Sequence, residues 1–335
     1  MDFIFHRHAG ARVSDKLSYK DLTLVVLEND ALRVVVVPDK GADIVSFVDK
    51  KTGIDVMLRL PTGLRSFKSE MGLMDHPNIL FSYYEGGWQE LFPVGSNFGK
   101  YYGADHPTHG EAPLLEWDHN IIEDSAERVC VEFHVRTKLS PFELRRRMIL
   151  DASSPEIVLE ESIENLSAMD LKYMWGHHPA FGAPFLSGDC RIELPKCRLF
   201  KGDKKLLRIP PETKPRRGMF YALDLERGMY GIHNDRLGFG FGMSWDHRIF
   251  SKIWIWQSMH IIDRSPYFKR EYACAIEPFT SLPHQLYGKR DRLPVLKAGQ
   301  KLGTSLKAFV YRRNLPQSHR GSRSDRFTDV NQIAA

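Results

Sequence analysis

The stretch Met174–Gly182, MWGHHPAFG, places two adjacent histidines between a tryptophan and a proline at the end of an apolar run. Histidine is the side chain whose unperturbed pKa lets it give or take a proton near neutral pH. On this stretch alone a structural role is as well supported as a chemical one, because histidines are often simply buried and hydrogen-bonded. Two further stretches, Thr108–Glu111 upstream and Ala275–Phe279 downstream, favour the chemical interpretation.

Strand-like segments fill most of the chain. Apolar, β-branched or alternating runs are found at 22–30, 32–38, 43–48, 128–136, 157–165 and 272–277. Many short strands joined by Gly and Pro turns predict an all-β fold, a large antiparallel β-sandwich. We expect a single domain over residues 1–312 with an N-terminal extension at 1–20, followed by a polar tail at 313–335.

Residues 61–113 lack a regular pattern and are rich in Gly, Pro, Asn and aromatic side chains. Long irregular segments within a domain are usually functional or disordered, and this one has too many aromatic residues for disorder. We therefore predict an ordered binding loop, with Trp88 in the loop and Gln89 and Glu90 beside it as candidate contacts for the hydroxyl groups of a ligand.

Composition excludes several functional classes. The net charge of +5 is mild for 335 residues and is not clustered, so no nucleic-acid surface is predicted. The run Arg145–Arg147 is predicted to be a solvated strand edge. The four cysteines form no CxxC pair, which favours reduced cytosolic thiols. No signal peptide and no run of about 18 apolar residues is present, so we expect a cytoplasmic protein without membrane contact.

Three titratable side chains stand next to Gly or Pro at or near predicted strand ends: His109, His178 and Glu277. A sandwich carries its ligand sites on strand ends and the loops between them, so the three side chains can converge there. A carboxylate base and an imidazole acid on opposite sides of one pocket form a general acid–base pair. Each motif alone is a weak signal.

Together, in this order and spacing, the motifs resemble the aldose 1-epimerase (galactose mutarotase-like) superfamily over residues 22–312. The resemblance rests on the early strands with PDKGA at 38–42, EGGWQELFP at 85–93, His-Gly at 109–110 with the later Trp117, HPAF at 178–181, IEP at 276–278 and LKAGQ at 296–300. It implies a β-supersandwich and an enzyme of the isomerase class that interconverts the α and β anomers of an aldose or related sugar.

The resemblance also implies a role for each matched residue. Glu277 would take the proton from the anomeric hydroxyl, His178 would protonate the ring oxygen, and His109 would hold and polarise the sugar. His177 stands where many relatives carry Asn and would tune His178 or lie against the sugar. The chemistry needs only proton transfers, so neither a metal nor a nucleotide cofactor is expected. The expected partner is a small-molecule sugar, and a homodimer is a candidate assembly.

Several departures leave the substrate open. Many relatives follow His-Gly with Phe-Ala-Arg, where this chain has Glu111, Ala112 and Pro113. Sugar-phosphate epimerases of the superfamily have Arg where this chain has Glu85, which argues against a phosphate at that position. The sugar-binding aspartate of the superfamily cannot be placed on the sequence. The alternatives are an epimerase of a phosphorylated or other anionic sugar, and a catalytically silent carbohydrate-binding protein, because fold does not fix function.

Aromatic and histidine side chains near the motifs carry two further hypotheses. Trp88, Trp175 and Trp256 are candidates for stacking on a sugar, although large aromatics more often pack in sandwich cores. A metal site formed by His76, His106 and His109 is a weaker hypothesis, because no Cys or acidic residue joins them at ligand spacing.

Overall fold

A computed structural model of the chain describes residues 7–66, 79–95, 99–283 and 293–313, and its strands are numbered β1 to β23 in chain order. The strands are β1 (Arg12–Tyr19), β2 (Leu22–Glu28), β3 (Leu32–Val37), β4 (Asp43–Asp49), β5 (Ile54–Asp55), β6 (Trp88–Leu91), β7 (Gly99–Tyr101), β8 (Ala104–His106), β9 (Asp118–Asp124), β10 (Arg128–Arg136), β11 (Phe142–Asp151), β12 (Glu156–Asn165), β13 (Leu171–Lys172), β14 (Gly176–Phe181), β15 (Cys190–Glu193), β16 (Arg198–Phe200), β17 (Arg216–Leu223), β18 (Gly228–Asn234), β19 (Phe239–Trp245), β20 (Lys252–Met259), β21 (Tyr272–Phe279), β22 (Val295–Leu296) and β23 (Lys301–Arg312). A short helix α1 (Ile79–Tyr83) and two 3₁₀ turns, Ala112–Leu114 and Lys204–Leu207, complete the described elements.

Two large antiparallel sheets form the sandwich. The first has 11 strands in the order β1-β2-β3-β4-β6-β14-β21-β20-β17-β16, with β5 paired to β4. The second has 8 strands in the order β15-β18-β19-β23-β12-β11-β10-β9. The predicted all-β, antiparallel architecture is confirmed. The stretch containing the two histidines is β14, in the middle of the larger sheet.

The core lies between the two sheets, where alternate side chains of each strand meet. In β3, Leu32, Val34 and Val36 are fully buried in this core, whereas Arg33 between them is exposed. Leu159 and Ile163 of β12 bury their side chains in the same core from the second sheet. The period-two alternation visible in the sequence therefore marks the inner face of the outer strands.

Strands β14 and β21 depart from this alternation because every residue in both is buried. Their inner faces pack on the core. Their outer faces lie beneath two smaller apolar clusters, one around Trp254 and Phe279 and the other around Leu58, Tyr84 and Tyr267. A polar side chain on this outer face is therefore shielded from water.

The region predicted as one binding loop, 61–113, is more structured than its composition indicates. It contains α1, β6, β7 and β8, and Trp88 lies in strand β6, where it is fully buried. The prediction that Trp88 lies in a loop is therefore wrong. Glycines and aromatic residues hid the strand, which is only four residues long. Residues 67–78 and 96–98 of this region lie outside the described residues.

Two other sequence expectations change at the surface. The predicted N-terminal extension contains β1, which pairs with β2 as the edge strand of the larger sheet. Arg145 and Arg147 pair with Glu132 toward solvent, as expected for a solvated strand, but Arg146 between them is fully buried because alternate residues face the core. Of the predicted tail at 313–335, residues 314–335 lie outside the described residues.

No helix in the described part of the chain is long and apolar enough to cross a membrane.

Candidate active site

Three titratable side chains meet on the outer face of the larger sheet. Nε2 of His178 lies 3.6 Å from Oε1 of Glu277. The rings of His109 and His178 are 5.1 Å apart between centroids. His178 and Glu277 are only 6% and 3% exposed, whereas His109 is half-buried. The structure therefore brings together the three residues that the motifs single out.

Strand register explains why His178 and Glu277 face each other. In the antiparallel pair β14 and β21, Gly176 is opposite Phe279 and Ala180 is opposite Ala275. The same register places His178 directly across from Glu277. Directly opposite residues of adjacent strands share a face of the sheet and lie close together. The chemistry is therefore positioned by two rigid central strands.

The same register extends the polar row into two further strands. His178 is opposite Gln89 of β6. Gln89 in turn meets Asp43, at the start of β4, and its Nε2 donates a hydrogen bond to Asp43 Oδ2 over 3.1 Å. We call Asp43, Gln89, His178 and Glu277 the polar row. It crosses four neighbouring strands, β4, β6, β14 and β21.

Burial controls the protonation of the pair formed by His178 and Glu277. It raises the pKa of the Glu277 carboxyl well above its usual range, and it lowers the pKa of His178 to about 4. Burial, and to a lesser extent the neighbouring His178, holds the pKa of His109 well below its ordinary value. Both shifts in the pair disfavour the charged form, so a proton shared by the pair is expected on Glu277.

The backbone at His109 has an unusual conformation. His109 has φ 69° and Gly110 has φ 80°, so two consecutive residues are left-handed. A Cβ on Gly110 would lie 2.3 Å from the carbonyl oxygen of Phe92, so only glycine fits against that strand. A non-glycine residue held in this region costs free energy, and such residues cluster at functional sites. The turn aims the imidazole of His109 at His178.

Glu111 has a structural role in the turn after His109. Its carboxylate accepts hydrogen bonds from the backbone N–H groups of Lys138 and Leu139 and from the hydroxyl of Ser140. It therefore ties the turn after His109 to the hairpin between β10 and β11 and does not face the catalytic pair.

Aromatic rings surround His178 on the outer face. Trp256 lies 6.2 Å from the His178 ring between centroids, and Tyr84 lies 6.0 Å away in an edge-on arrangement. Tyr267 packs in turn against Trp256. Trp256 is half-buried, whereas Tyr84 is buried. Trp256 therefore lies beside His178 with part of its surface exposed.

The remaining predicted sugar contacts lie on the opposite face. Trp88 Nε1 donates to Nδ1 of His177, and Nε2 of His177 lies 3.0 Å from Glu161 on the second sheet. Glu90 accepts a hydrogen bond from the indole N–H of Trp175. Trp88, Glu90 and His177 alternate with Gln89 and His178, so they project into the core. The geometry gives these three a structural role, because neighbours along a strand point to opposite faces.

A buried ionic network surrounds His177. Arg146 reaches Glu90 across 3.6 Å, and its guanidinium lies over the rings of Trp117 and Phe133. Burial raises the pKa of Glu161 to about 8, with Arg146 opposing the shift. Burial also raises the pKa of Glu90 to about 7. Two carboxyls share one arginine, so burial favours keeping a proton on one of them.

Next to the polar row, Lys40 forms a buried ion pair with Glu85 and donates to the backbone carbonyl of Tyr83. Burial lowers the pKa of Lys40 to about 8, while the nearby Asp43 opposes this shift. Glu85, where sugar-phosphate epimerases of the superfamily carry arginine, therefore has a cationic partner on an adjoining segment. The Lys40–Glu85 ion pair therefore leaves no free positive charge from either residue at this position.

The metal hypothesis finds no ligand cluster in the described ranges. No group of three or more His, Cys, Asp or Glu side chains is placed there to hold a metal ion. His106 is fully buried against the ring of Tyr101, whereas His109 faces His178. The remaining residue of that hypothesis, His76, lies outside the described residues.

A groove of about 580 Å³ lies on the outer face over β1 to β4. Its walls are mainly apolar, including Leu24, Val26 and Val35, and neither His178 nor Glu277 lines it. We place the candidate active site at the titratable pair, because chemistry requires convergent polar groups as well as space.

Two residues at the site were not predicted. Tyr84 lies against His178, and Asp43 lies beyond Gln89 in the polar row. Tyr84 has no local signal, whereas Asp43 had one, because an acidic residue that opens the apolar strand at 43–48 needs a partner when it is buried.

Comparisons with known proteins agree with this fold. A family profile described as a domain of unknown function (DUF4432) matches residues 130–310, a range that includes His178 and Glu277. No curated protein matches the sequence significantly.

Among solved structures, a proposed aldose 1-epimerase from Klebsiella pneumoniae subsp. pneumoniae is similar at a TM-score of 0.74, with 15% identity over 90% of this chain and 83% of that chain. A galactose mutarotase-like protein from Clostridium acetobutylicum is similar at 0.65, with 16% identity over 91% and 99%. A galactose mutarotase related enzyme from Lactobacillus acidophilus is similar at 0.59, with 16% identity over 86% and 97%. The predicted galactose mutarotase-like fold is confirmed, and identities this low show the fold alone.

Proposed function

The chain belongs to the family described as a domain of unknown function (DUF4432), and we propose that it is an aldose 1-epimerase that interconverts the α and β anomers of a sugar. The observation that carries the proposal is the side-by-side placement of His178 and Glu277, 3.6 Å apart, on two central strands. Anomer interconversion needs one group to remove a proton and one to supply it. A buried carboxyl and a buried imidazole with shifted pKa values are suited to that task.

The reaction needs two proton transfers and one bond rotation. A base takes the proton of the anomeric hydroxyl, C1–O1 becomes a carbonyl, and the bond between C1 and the ring oxygen breaks. The acid gives its proton to the ring oxygen as that bond breaks. Rotation about C1–C2 and the reverse steps close the ring on the other face of the carbonyl. Atoms and electrons balance within the sugar and the protein pair.

The resemblance to the superfamily assigns the base to Glu277 and the acid to His178. The direction of the pKa shifts favours the opposite resting state, with the proton on Glu277 and His178 neutral. Two routes follow from this. Either sugar binding moves the proton across the 3.6 Å gap to His178, or Glu277 acts as the acid and His178 as the base. Both routes use the same single proton on the pair.

His109 and Trp256 complete the proposed site. His109, held neutral by burial, can accept or donate one hydrogen bond to a sugar oxygen beside His178. Trp256 offers a partly exposed ring for the apolar face of the sugar. Four free cysteines agree with a reducing, cytoplasmic setting for such an enzyme.

A catalytically silent carbohydrate-binding protein is the competing function. A binder gains nothing from burying a carboxyl against an imidazole, because desolvating both groups costs free energy. The deciding experiment is saturation-transfer NMR on the wild-type protein with neutral, acidic and phosphorylated sugars. Accelerated exchange between anomers supports the enzyme. Binding without any exchange on every sugar bound would identify a binder.

A further inference from the structure

The polar row continues past the catalytic pair on the side of His178 away from Glu277. There Gln89 and Asp43 are both fully buried, and the amide of Gln89 donates to one carboxylate oxygen of Asp43. The other carboxylate oxygen of Asp43, the amide oxygen of Gln89 and the hydroxyl of Tyr84 have no hydrogen-bond partner within the described residues. Nδ1 of His178 also lacks one there. Buried polar atoms without partners are rare and require an explanation.

The amide NH₂ of Gln89 donates to Asp43 Oδ2. This oxygen accepts the bond both when the carboxyl is ionised and when it carries its proton on Oδ1. The amide oxygen of Gln89 is then directed away from Asp43 and keeps its acceptor capacity for another group. His178 of β14 lies directly opposite Gln89 of β6. A donor placed over the row between these two residues would satisfy the orphaned oxygen.

The groups around the row offer little to an anion. Of the three carboxyls there, Glu85 is paired with Lys40, and burial favours the neutral form of Asp43 and Glu277 by raising their pKa values. The nearby cations Lys40 and Arg146 are both engaged, because Lys40 also donates to a backbone carbonyl and Arg146, on the core side, contacts Glu90 and the Ala42 carbonyl. Burial raises the pKa of Asp43 to about 7, with Lys40 opposing the shift, so near neutral pH the carboxyl can both donate and accept. A hydroxyl group, which also donates and accepts, matches this set.

We propose that Asp43 and Gln89 form a subsite, continuous with the catalytic pair, that binds a ring hydroxyl of a neutral sugar. The proposal rests on the proposed function, because it takes the sugar to sit over His178 and Glu277. In it Gln89 touches the sugar through its amide oxygen, and Asp43 positions the amide. A phosphate or carboxylate substituent is disfavoured at this end of the pocket.

The test is a double-mutant cycle in which Gln89 is substituted and single hydroxyl groups are removed from the sugar, with the binding free energy measured for each combination. The probes are D-glucose, D-galactose, their 2-, 3-, 4- and 6-deoxy analogues, glucose 6-phosphate and glucuronate, with affinities from calorimetry. Gln89→Leu should weaken the better-bound parent sugar by about 10-fold, the scale of one lost hydrogen bond in a buried site. For one deoxy analogue the same substitution should have no further effect, because the contacted hydroxyl is already absent.

Matched variants separate a contact from a packing defect. Gln257→Leu makes the same change at another fully buried glutamine of the same sheet, whose amide donates to the Leu206 carbonyl. It should leave the dependence on every hydroxyl as in wild type. If Gln89→Leu does not fold, Gln89→Glu keeps the side-chain size but turns an acceptor toward Asp43, and it should reduce affinity for the same hydroxyl.

The outcomes are distinguishable from those of the proposed function because binding and exchange are measured separately. If the protein accelerates anomer exchange but the effect of Gln89→Leu on affinity is the same for every deoxy analogue, the subsite is overturned and the enzyme proposal stands. If the effect of Gln89→Leu disappears for one deoxy analogue but no exchange is detected, the subsite is supported and the enzyme proposal is overturned. Tighter binding of glucose 6-phosphate or glucuronate than of the neutral sugars, or no binding of any neutral sugar, overturns the subsite.

Discussion

Replacing Glu277 by glutamine should abolish exchange while making the protein more stable in mildly alkaline solution. The carboxyl is 3% exposed, and burial holds its pKa well above its usual range. Glu277→Gln keeps the size and the hydrogen-bonding capacity of the side chain but removes its exchangeable proton. General acid–base catalysis contributes about 10²–10⁴-fold per group, or roughly 2.7–5.5 kcal/mol of barrier. The rate of anomer exchange should fall by that factor.

The stability change has a sign fixed by linkage. A carboxyl whose pKa is raised in the folded state keeps its full stability below the unfolded pKa, about 4.3 for Glu. That stability is lost as pH rises toward the folded pKa, because the unfolded chain releases a proton that the folded chain retains. Glutamine has no proton to release. The difference in unfolding free energy, variant minus wild type, should therefore grow with pH above about 4.3, by up to about 1.4 kcal/mol per pH unit.

Both effects are measurable on one pair of preparations, exchange by NMR saturation transfer and stability by urea unfolding at pH 5 and pH 8. Glu271→Gln is the matched control, since Glu271 is fully buried just before β21 and accepts hydrogen bonds from Ser258, Ile261 and Ile262. That variant should lose stability and keep exchange. Wild-type exchange in Glu277→Gln would refute the catalytic assignment. An unchanged stability difference between pH 5 and pH 8 would show that Glu277 is ionised in the folded protein.

Three further predictions address the network, the proton and the metal. Arg146→Met should lower the free energy of unfolding in urea by about 3–5 kcal/mol, because it leaves buried Glu90 and Glu161 without their cation. Arg147→Met, the neighbouring control, should lower it by under about 1 kcal/mol. Equal losses would contradict the burial of Arg146. The rate of exchange should fall as pH drops through about 4, because protonation of His178 then gives the pair of His178 and Glu277 two protons. An unchanged rate from pH 6 to pH 3 would argue against a pair that must hold only one proton. Exchange should also survive extensive dialysis against EDTA, and activity restored only by a divalent ion would return the His76, His106 and His109 hypothesis.

Local sequence signals were sufficient to predict the architecture and to single out three titratable side chains that the structure places together. Short β-branched runs and Gly/Pro turns specify strands regardless of which strands pair, so the all-β sandwich follows from them. His109, His178 and Glu277 were identified because each stands in a short motif beside Gly or Pro. Strand β6, in contrast, was not predictable from local pattern. Its four residues include a tryptophan, an amide and an acid where an apolar pattern would be expected.

What could not be predicted depends on register between strands far apart in the chain. Asp43 belongs to the site only because β4 lies beside β6 and β6 beside β14, a strand order that no local pattern encodes. Trp88 and Glu90 were assigned to the sugar because they flank Gln89 in sequence. In a strand, that adjacency places them on the other face. Proximity along the chain therefore misled the assignment wherever the chain was extended.

The two adjacent histidines show why the register must be held so firmly. His177 points inward, where it accepts from Trp88 and pairs with Glu161 on the second sheet, whereas His178 points outward toward Glu277. A slip of one residue in β14 would exchange the two faces and bring His177 to the pocket. In that slip Gly176 would take the inward position of His177, and the buried carboxyl of Glu161 would lose its imidazole partner. The contacts of His177 with Trp88 and Glu161 therefore penalise the slipped register and keep His178 on the face of Glu277.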